Sequence, residues 1–138
     1  MFKSILSYSF LILTYSCHQT PKLAAKEVEN DSSKMTDVKF LEQRAIFESV
    51  PPDTLLIARY NFINIGKHDL YIDDISPDCS CTGYLLSKRK VSPGDSAYIV
   101  LKYSTKEKFG YSKVYATVSA NTPTRLYSLE IAASVRDQ

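Results

Sequence analysis

Tryptophan is absent from this chain of 138 residues, histidine occurs twice, and there are only four glycines and three cysteines. Each scarcity excludes something. His18 and His68 stand in no recognisable motif, and no G-x-S-x-G, H-E-x-x-H or phosphate-cradling glycine loop is present. The esterase, zinc-protease and nucleotide-binding signatures are therefore missing. Charge of one sign is also missing: 17 basic residues face 15 acidic ones, for a net +2. Nucleic acid usually asks for a clustered basic stripe. The densest basic run, Lys88-Arg89-Lys90, reads as a solvated turn before a strand. No apolar run reaches the roughly 20 residues of a membrane-spanning helix. No cofactor and no small-molecule substrate is suggested, and an enzyme is not expected.

Aromatic and apolar residues are present in quantity. Ten tyrosines and six phenylalanines favour strands, whose pleated surface suits aromatic and β-branched side chains. Hydrophobic residues make up 44% of the chain, enough for one real core. At this length one domain is expected rather than two, with roughly two-thirds of the unfolded surface buried.

The N-terminus reads as an address. Residues 1–16, MFKSILSYSFLILTYS, place Lys3 before an apolar stretch that peaks over Phe10, Leu11, Ile12 and Leu13 and ends in Ser16. A charged start, a short apolar stretch and a small residue describe a secretory signal. Cys17 follows at once, and the pattern resembles a bacterial lipoprotein cleavage site. That resemblance implies diacylation of the Cys17 sulfur and acylation of the new N-terminus; two or more chains give stable anchoring. Thr14 stands where leucine is usual and Tyr15 is large for its place, a looseness that Bacteroidetes-type signals share. Plain secretion with an ordinary Cys17 thiol is the alternative. Residues 17–36 are polar, with Pro21 and a Ser/Asn/Asp cluster at 30–33, the composition of a flexible tether.

Residues 37–138 read as the folded domain. Period-two alternation is broken by turn residues about every ten positions, the spacing of a sandwich or barrel. Strands are expected over 38–41, 45–49, 55–65, 70–75, 97–103, 112–119 and 126–135. Turns fall at Pro51-Pro52-Asp53, Gly66-Lys67-His68-Asp69, Ser92-Pro93-Gly94-Asp95 and Asn121-Thr122-Pro123-Thr124, where proline presets φ and glycine, Asn and Asp tolerate tight backbone. Asp73-Asp74 marks a bulge or a strand end. Leu56, Ala58, Tyr60 and Phe62 share the inward face of the third strand, opposite Arg59 and Asn61. Ile99, Leu101 and Tyr103 point inward on a later strand, as do Val114, Ala116 and Val118, and Leu129, Ile131, Ala133 and Val135. The fold class expected is all-β: an immunoglobulin-like β-sandwich of seven to eight antiparallel strands.

A specific resemblance then emerges. Arg59-Tyr60-Asn61-Phe62-Ile63-Asn64-Ile65-Gly66 is similar to an F-x-F-x-N-x-G strand and turn. Leu70-Tyr71-Ile72, Asp78-Cys79-Ser80-Cys81-Thr82, Val91-Ser92-Pro93-Gly94-Asp95 and the stretch 111–121 follow in order. Over residues 38–135 the chain resembles the DUF1573 family of bacterial envelope proteins, common in Bacteroidetes. The resemblance implies an immunoglobulin-like fold, similar to the sandwich domains of the sperm-protein and ciliary Hydin type. It implies an envelope address but no reaction. The family's S-C-G-C-T stands here with Ser80 in place of glycine, which bears on whether a positive φ is used between the cysteines.

Cys79 and Cys81 carry whatever chemistry is present, and three readings stay open. They could form a disulfide, since two residues of chain span up to about 7 Å and a disulfide needs roughly 4.4–6.8 Å between Cα atoms; a strained, exposed bridge is easily reduced and suits a redox couple. They could hold Cu(I) or zinc as two thiolates on one face, with His68, Asp74 and Asp78 as further candidates for the four ligands zinc wants. They could pack the end of a strand. Asp73, Asp74 and Asp78 otherwise read as capped turns rather than a calcium site. The leading functional expectation is a non-catalytic binding or scaffolding module. It is lipid-anchored in the bacterial envelope, at the outer membrane, with its domain in the periplasm or at the cell surface and another envelope protein as partner. A metal-handling or thiol-redox protein is the alternative. Tyr71, Tyr98, Val100, Tyr115 and Tyr127 are assigned to the outer faces, where tyrosines often anchor interfaces or stiffen cross-strand pairs.

Overall fold

The computed structural model describes residues 33–137. Cys17, the signal sequence and most of the tether lie outside the described residues. Among the described residues nine strands run in chain order: β1 Val38–Phe40, β2 Arg44–Val50, β3 Leu55–Asn64, β4 Leu70–Pro77, β5 Thr82–Leu86, β6 Lys90–Val91, β7 Ser96–Ser104, β8 Gly110–Ala120 and β9 Leu126–Val135. They form a four-stranded sheet in the order β1-β3-β7-β5 and a five-stranded sheet in the order β2-β9-β8-β4-β6. The two sheets face each other across one apolar core, and the domain is an immunoglobulin-like sandwich.

Alternation dictates that core. On β3 every second residue from Leu56 to Asn64 is buried. Tyr60 and Phe62 meet Ile99, Leu101 and Tyr103 of β7 and Leu129 and Ile131 of β9 in the same cluster. The expected inward faces of β3, β7, β8 and β9 are all observed. Burying one such side chain is worth about 1.5–3 kcal/mol. A one-residue slip of any of these strands would expose its whole set. Tyr60 also reaches across with its phenol to donate to the Glu130 carbonyl of the opposite sheet at 2.7 Å. Glu130 itself joins three strands, meeting Arg44 Nε at 3.1 Å and Lys113 Nζ at 3.4 Å.

Two features differ from expectation. The strands are not all antiparallel: β2 pairs with β9 in parallel, Arg44 opposite Glu130 and Val50 opposite Val135. The cause is a change of sheet. β1 runs antiparallel to β3, and after residues 41–43 the chain continues in the same direction but on the other sheet, so it must arrive alongside β9 in parallel. Two strands, β5 and β6, also lie in the stretch 82–91 that showed no clear alternation. β5 contains Gly83 and three successive apolar residues, and as an edge strand it has no fully buried face to impose period two. Lys90 lies within β6 rather than in a solvated turn, and the Arg89 guanidinium donates to the Ile72 and Asp73 carbonyls at 3.1 and 2.7 Å.

Elsewhere turns and bulges fall where the residues placed them. The register of β4 against β8 shifts between Ile72 and Asp74, the bulge that the aspartate pair marks. Ser92-Pro93-Gly94-Asp95 closes with Asp95 N–H donating to the Ser92 carbonyl at 3.0 Å, and Gly94 has φ of 81°. Proline then glycine at the corners is the type II pattern, which needs a positive φ at the third residue.

Candidate functional site

The sandwich has two poles about 30 Å apart, the length of a ten-residue strand such as β3 at about 3.3 Å per residue. At one pole, where β3 ends, two asparagines hold the incoming N-terminal segment. Asn64 is fully buried. Its Nδ2 donates to the His68 and Val91 carbonyls at 2.7 and 2.9 Å. Its Oδ1 accepts the Thr36 hydroxyl at 2.9 Å and the Gly66 N–H at 3.1 Å. Every hydrogen-bonding position of this side-chain amide is thereby used. Asn121 does the same for the neighbouring loop. It accepts Tyr71 N–H at 2.7 Å and donates to the Lys34 and Asp69 carbonyls at 2.8 and 2.9 Å. Thr36 is itself buried and its N–H donates to the Asn121 carbonyl. The folded region thus takes in residues just ahead of position 37. Gly66 is required by close approach: a Cβ there would overlap the Thr36 hydroxyl and the Asp37 nitrogen.

The cysteine pair occupies the opposite pole. The Cys81 carbonyl accepts the N–H of Ser104 at 3.0 Å, and Ser104 pairs with Leu55 at the start of β3. Cys79 and Cys81 are joined as a disulfide with Cα atoms 5.1 Å apart. A tight turn makes this reach, with Thr82 N–H donating to the Cys79 carbonyl at 3.0 Å. Ser80 is not among the positive-φ residues, so the turn needs no glycine between the cysteines, and Ser80 fits where the family pattern has one. Cys81 N–H points at Cys79 Sγ, 3.0 Å away. Asp78 anchors the turn to β8: its N–H donates to the Tyr115 carbonyl at 2.9 Å and its Oδ1 accepts Tyr115 N–H at 3.0 Å. Both cysteines are half-buried beside a depression of about 240 Å³.

The further metal-ligand candidates are not brought together. His68 belongs to the asparagine pole and Asp74 to the exposed bulge of β4, so only Asp78 stays near the sulfurs. Among the described residues no three His, Cys, Asp or Glu side chains cluster around a common point.

Of the five residues assigned to the outer faces, Tyr98, Val100 and Tyr115 lie there, whereas Tyr71 and Tyr127 do not. Tyr71 is only 5% exposed, and the Lys90 ammonium lies 5.6 Å from its ring centroid. Tyr127 points between the sheets, 5.2 Å from the Phe40 ring, and its hydroxyl bonds Thr122 at 2.8 Å. Its parity with Leu129 requires that. Tyr98 is half-buried under the Arg59 guanidinium at 3.8 Å, Val100 is half-buried, and Tyr115 is 37% exposed. Exposed apolar side chains are spread over several elements, Ile46, Tyr111 and Leu126 among them, and three of them, Leu55 and Ile57 of β3, both at 57%, and Leu85 of β5, at 46%, lie on the four-stranded sheet. Leu85 stands directly opposite Val100, which stands opposite Arg59; Ile57 is two pairs further along, opposite Lys102. Together they form an apolar strip on the outer face of the four-stranded sheet, reaching β5, which has no strand on its other side among the described residues. Leu55 and Ile57 share parity with Arg59 and could have been read as outward. Leu85 required knowledge of β5.

The family model for DUF1573, described as a protein of unknown function, matches residues 38–135. The chain belongs to the DUF1573 family. The turn that joins Cys79 to Cys81 and the buried Asn64 with its Gly66 are thus the structural content of two DUF1573 sequence patterns. No curated protein matches the chain. Among solved structures, a protein of unknown function from Porphyromonas gingivalis W83 is similar with a TM-score of 0.66 at 11% identity, over 75% of this chain and 48% of that one. This DUF1573 chain therefore spans about half the length of that relative. The secreted serine protease VesC of Vibrio cholerae is similar with a TM-score of 0.56 at 12% identity, over 76% of this chain and 24% of that one. PapD-like domain 7 of human CEP192, an ASH / PapD-like domain, gives 0.53 at 10% identity, over 98% of this chain and all of that one. At these identities the likeness is one of fold.

Proposed function

We propose that this DUF1573 protein is a lipid-anchored binding or scaffolding module of a bacterial envelope, and that its partner is another envelope protein. One observation carries the binding reading: the strip formed by Ile57, Leu85 and Val100 runs out to the unpaired edge of β5. An exposed edge offers a row of backbone donors and acceptors. A partner segment added to it would gain main-chain hydrogen bonds, with affinity and register set by side chains on the same face. The sequence pattern around Cys17 supports the lipid anchor, and the composition of 17–36 supports a tether. A tether that enters at the asparagine pole leaves the cysteine pole at the far end of the domain. Among the described residues, no side-chain set outside the cysteine pair suggests a reaction.

The test is cross-linking in intact envelopes followed by purification of the lipidated protein. The wild type should recover a discrete partner that Ile57→Asp combined with Leu85→Asp loses while the circular dichroism spectrum is kept. Equal recovery by both would contradict the binding reading. Cys17→Ala should release the protein from the membrane fraction, and its retention there would contradict the anchor.

A further inference from the structure

We propose that the Cys79–Cys81 disulfide is a thiol–disulfide exchange site that oxidises dithiol segments of exported polypeptides. The geometry separates it from a structural staple. A bridge that closes a loop of three residues restrains the unfolded chain little, whereas longer loops give most of the entropic gain. The fold does not need the sulfur–sulfur bond to keep the turn either. Thr82 N–H to the Cys79 carbonyl, Ser104 N–H to the Cys81 carbonyl and Asp78 N–H to the Tyr115 carbonyl are all made by backbone groups without either sulfur. The two sulfurs therefore stay side by side when reduced, which keeps the reverse reaction intramolecular and fast.

The surroundings also give the two sulfurs different roles. Cys81 N–H lies 3.0 Å from Cys79 Sγ, so negative charge developing on Cys79 is met by a donor already in place. Cys79 is the better leaving group, and Cys81 is the sulfur to be attacked. Lys108 and Lys113 line the depression beside the pair, with Tyr103 and Val114 as apolar wall and Asp78 as its one acidic member. Cations near a sulfur favour its thiolate. Lys113 also engages Glu130 at 3.4 Å, which leaves Lys108 the less committed of the two. The volume, about 240 Å³, lies below the roughly 300–1,000 Å³ of drug-sized ligand pockets and suits a side chain flanking a substrate cysteine.

The step balances. A substrate thiolate attacks Cys81 Sγ, the sulfur–sulfur bond breaks, and Cys79 leaves with the electron pair as a thiolate. The second substrate thiolate then attacks the substrate sulfur of the mixed disulfide and expels Cys81. The substrate dithiol loses two electrons and two protons and becomes a disulfide; Cys79 and Cys81 gain both and become thiols. Reverse exchange with a disulfide-bearing molecule, oxidised glutathione in the assay, restores the bridge. The inference draws on the binding reading only for delivery of the substrate, because β5 starts at Thr82, the residue after Cys81.

The test uses the full protein purified in detergent, a synthetic peptide with two cysteines as probe, and thiol trapping with mass spectrometry. Because the peptide is free, failure of the binding reading leaves this assay unaffected. The bridge should titrate within mixtures of reduced and oxidised glutathione. It should oxidise the peptide at least about ten-fold faster than the same concentration of oxidised glutathione. The Cys79→Ser variant should accumulate a mixed disulfide on Cys81 with the oxidised peptide, while Cys79→Ser with Cys81→Ser keeps the fold and loses exchange. A bridge that persists in a large excess of reduced glutathione would overturn the proposal. So would exchange no faster than glutathione, or free thiols holding copper or zinc.

Discussion

The two poles of this sandwich are held by different means. At the asparagine pole the side chains of Asn64 and Asn121 bind backbone groups from segments far apart in sequence, and Asn64 is wholly buried. At the cysteine pole the turn 79–82 is held by backbone hydrogen bonds to β7 and β8 and carries a covalent bond across only two residues. A covalent bond that closes so small a ring contributes less to stability than one well-connected amide. The pole that receives the chain is built to stay closed, and the far pole keeps its reactive atoms near the surface. Substitutions at the two poles should therefore differ most in their effect on stability.

Asn64→Ala should give the largest loss. It leaves the Thr36 hydroxyl, the Gly66 N–H and the His68 and Val91 carbonyls without this partner, at about 1–3 kcal/mol for each group that stays buried and unsatisfied. A total on the order of 3–5 kcal/mol is expected, read as a fall in the urea midpoint. Gly66→Ala should follow with about 1–3 kcal/mol, since the Thr36–Asp37 backbone must move to admit the Cβ. Cys79→Ser with Cys81→Ser should cost less than about 2 kcal/mol, the chain-entropy value for so short a loop being about 1.6 kcal/mol. A cysteine-pole loss that exceeded the Asn64 loss would reverse the comparison.

The smallest effect sharpens the account of the core between the poles. Burial first, and then the nearby Glu130 charge, push the Tyr60 phenol well above the usual tyrosine value. Its folded pKa is raised, so its contribution to stability is complete below about pH 10, where an unfolded tyrosine ionises, and is lost as pH rises from there toward the folded value. The slope is at most about 1.4 kcal/mol per pH unit for one proton. Tyr60→Phe should remove that part of the alkaline slope in denaturation curves measured from pH 9 upward. An unchanged slope would mean that the phenol is not held neutral by its site.

Much of this was legible in the residues. Alternation in 55–65 fixed which face of β3 is buried, and Asp73-Asp74 marked the bulge, because both are local properties of the chain. The resemblance drew attention to Asn64, Gly66 and the cysteines. It did not show that Asn64 is a hub, since its four partners come from residues 36, 66, 68 and 91. The passage of β2 to the other sheet was hidden for the same reason, as strand direction depends on where β9 lies. β5 was hidden by Gly83 and by an edge position that imposes no alternation, and with it went the apolar strip at Leu85. Tyr127 was misplaced although its parity with Leu129 already pointed inward.

Hydrogen exchange by mass spectrometry on the oxidised and reduced protein tests the contrast between the poles most directly. Reduction of Cys79–Cys81 is expected to speed amide exchange only around residues 78–82, 103–104 and 113–115, leaving residues 36–37, 64–66 and 121 as protected as before. Loss of protection at both poles on reduction would contradict the account, because the bridge would then hold the whole sandwich together.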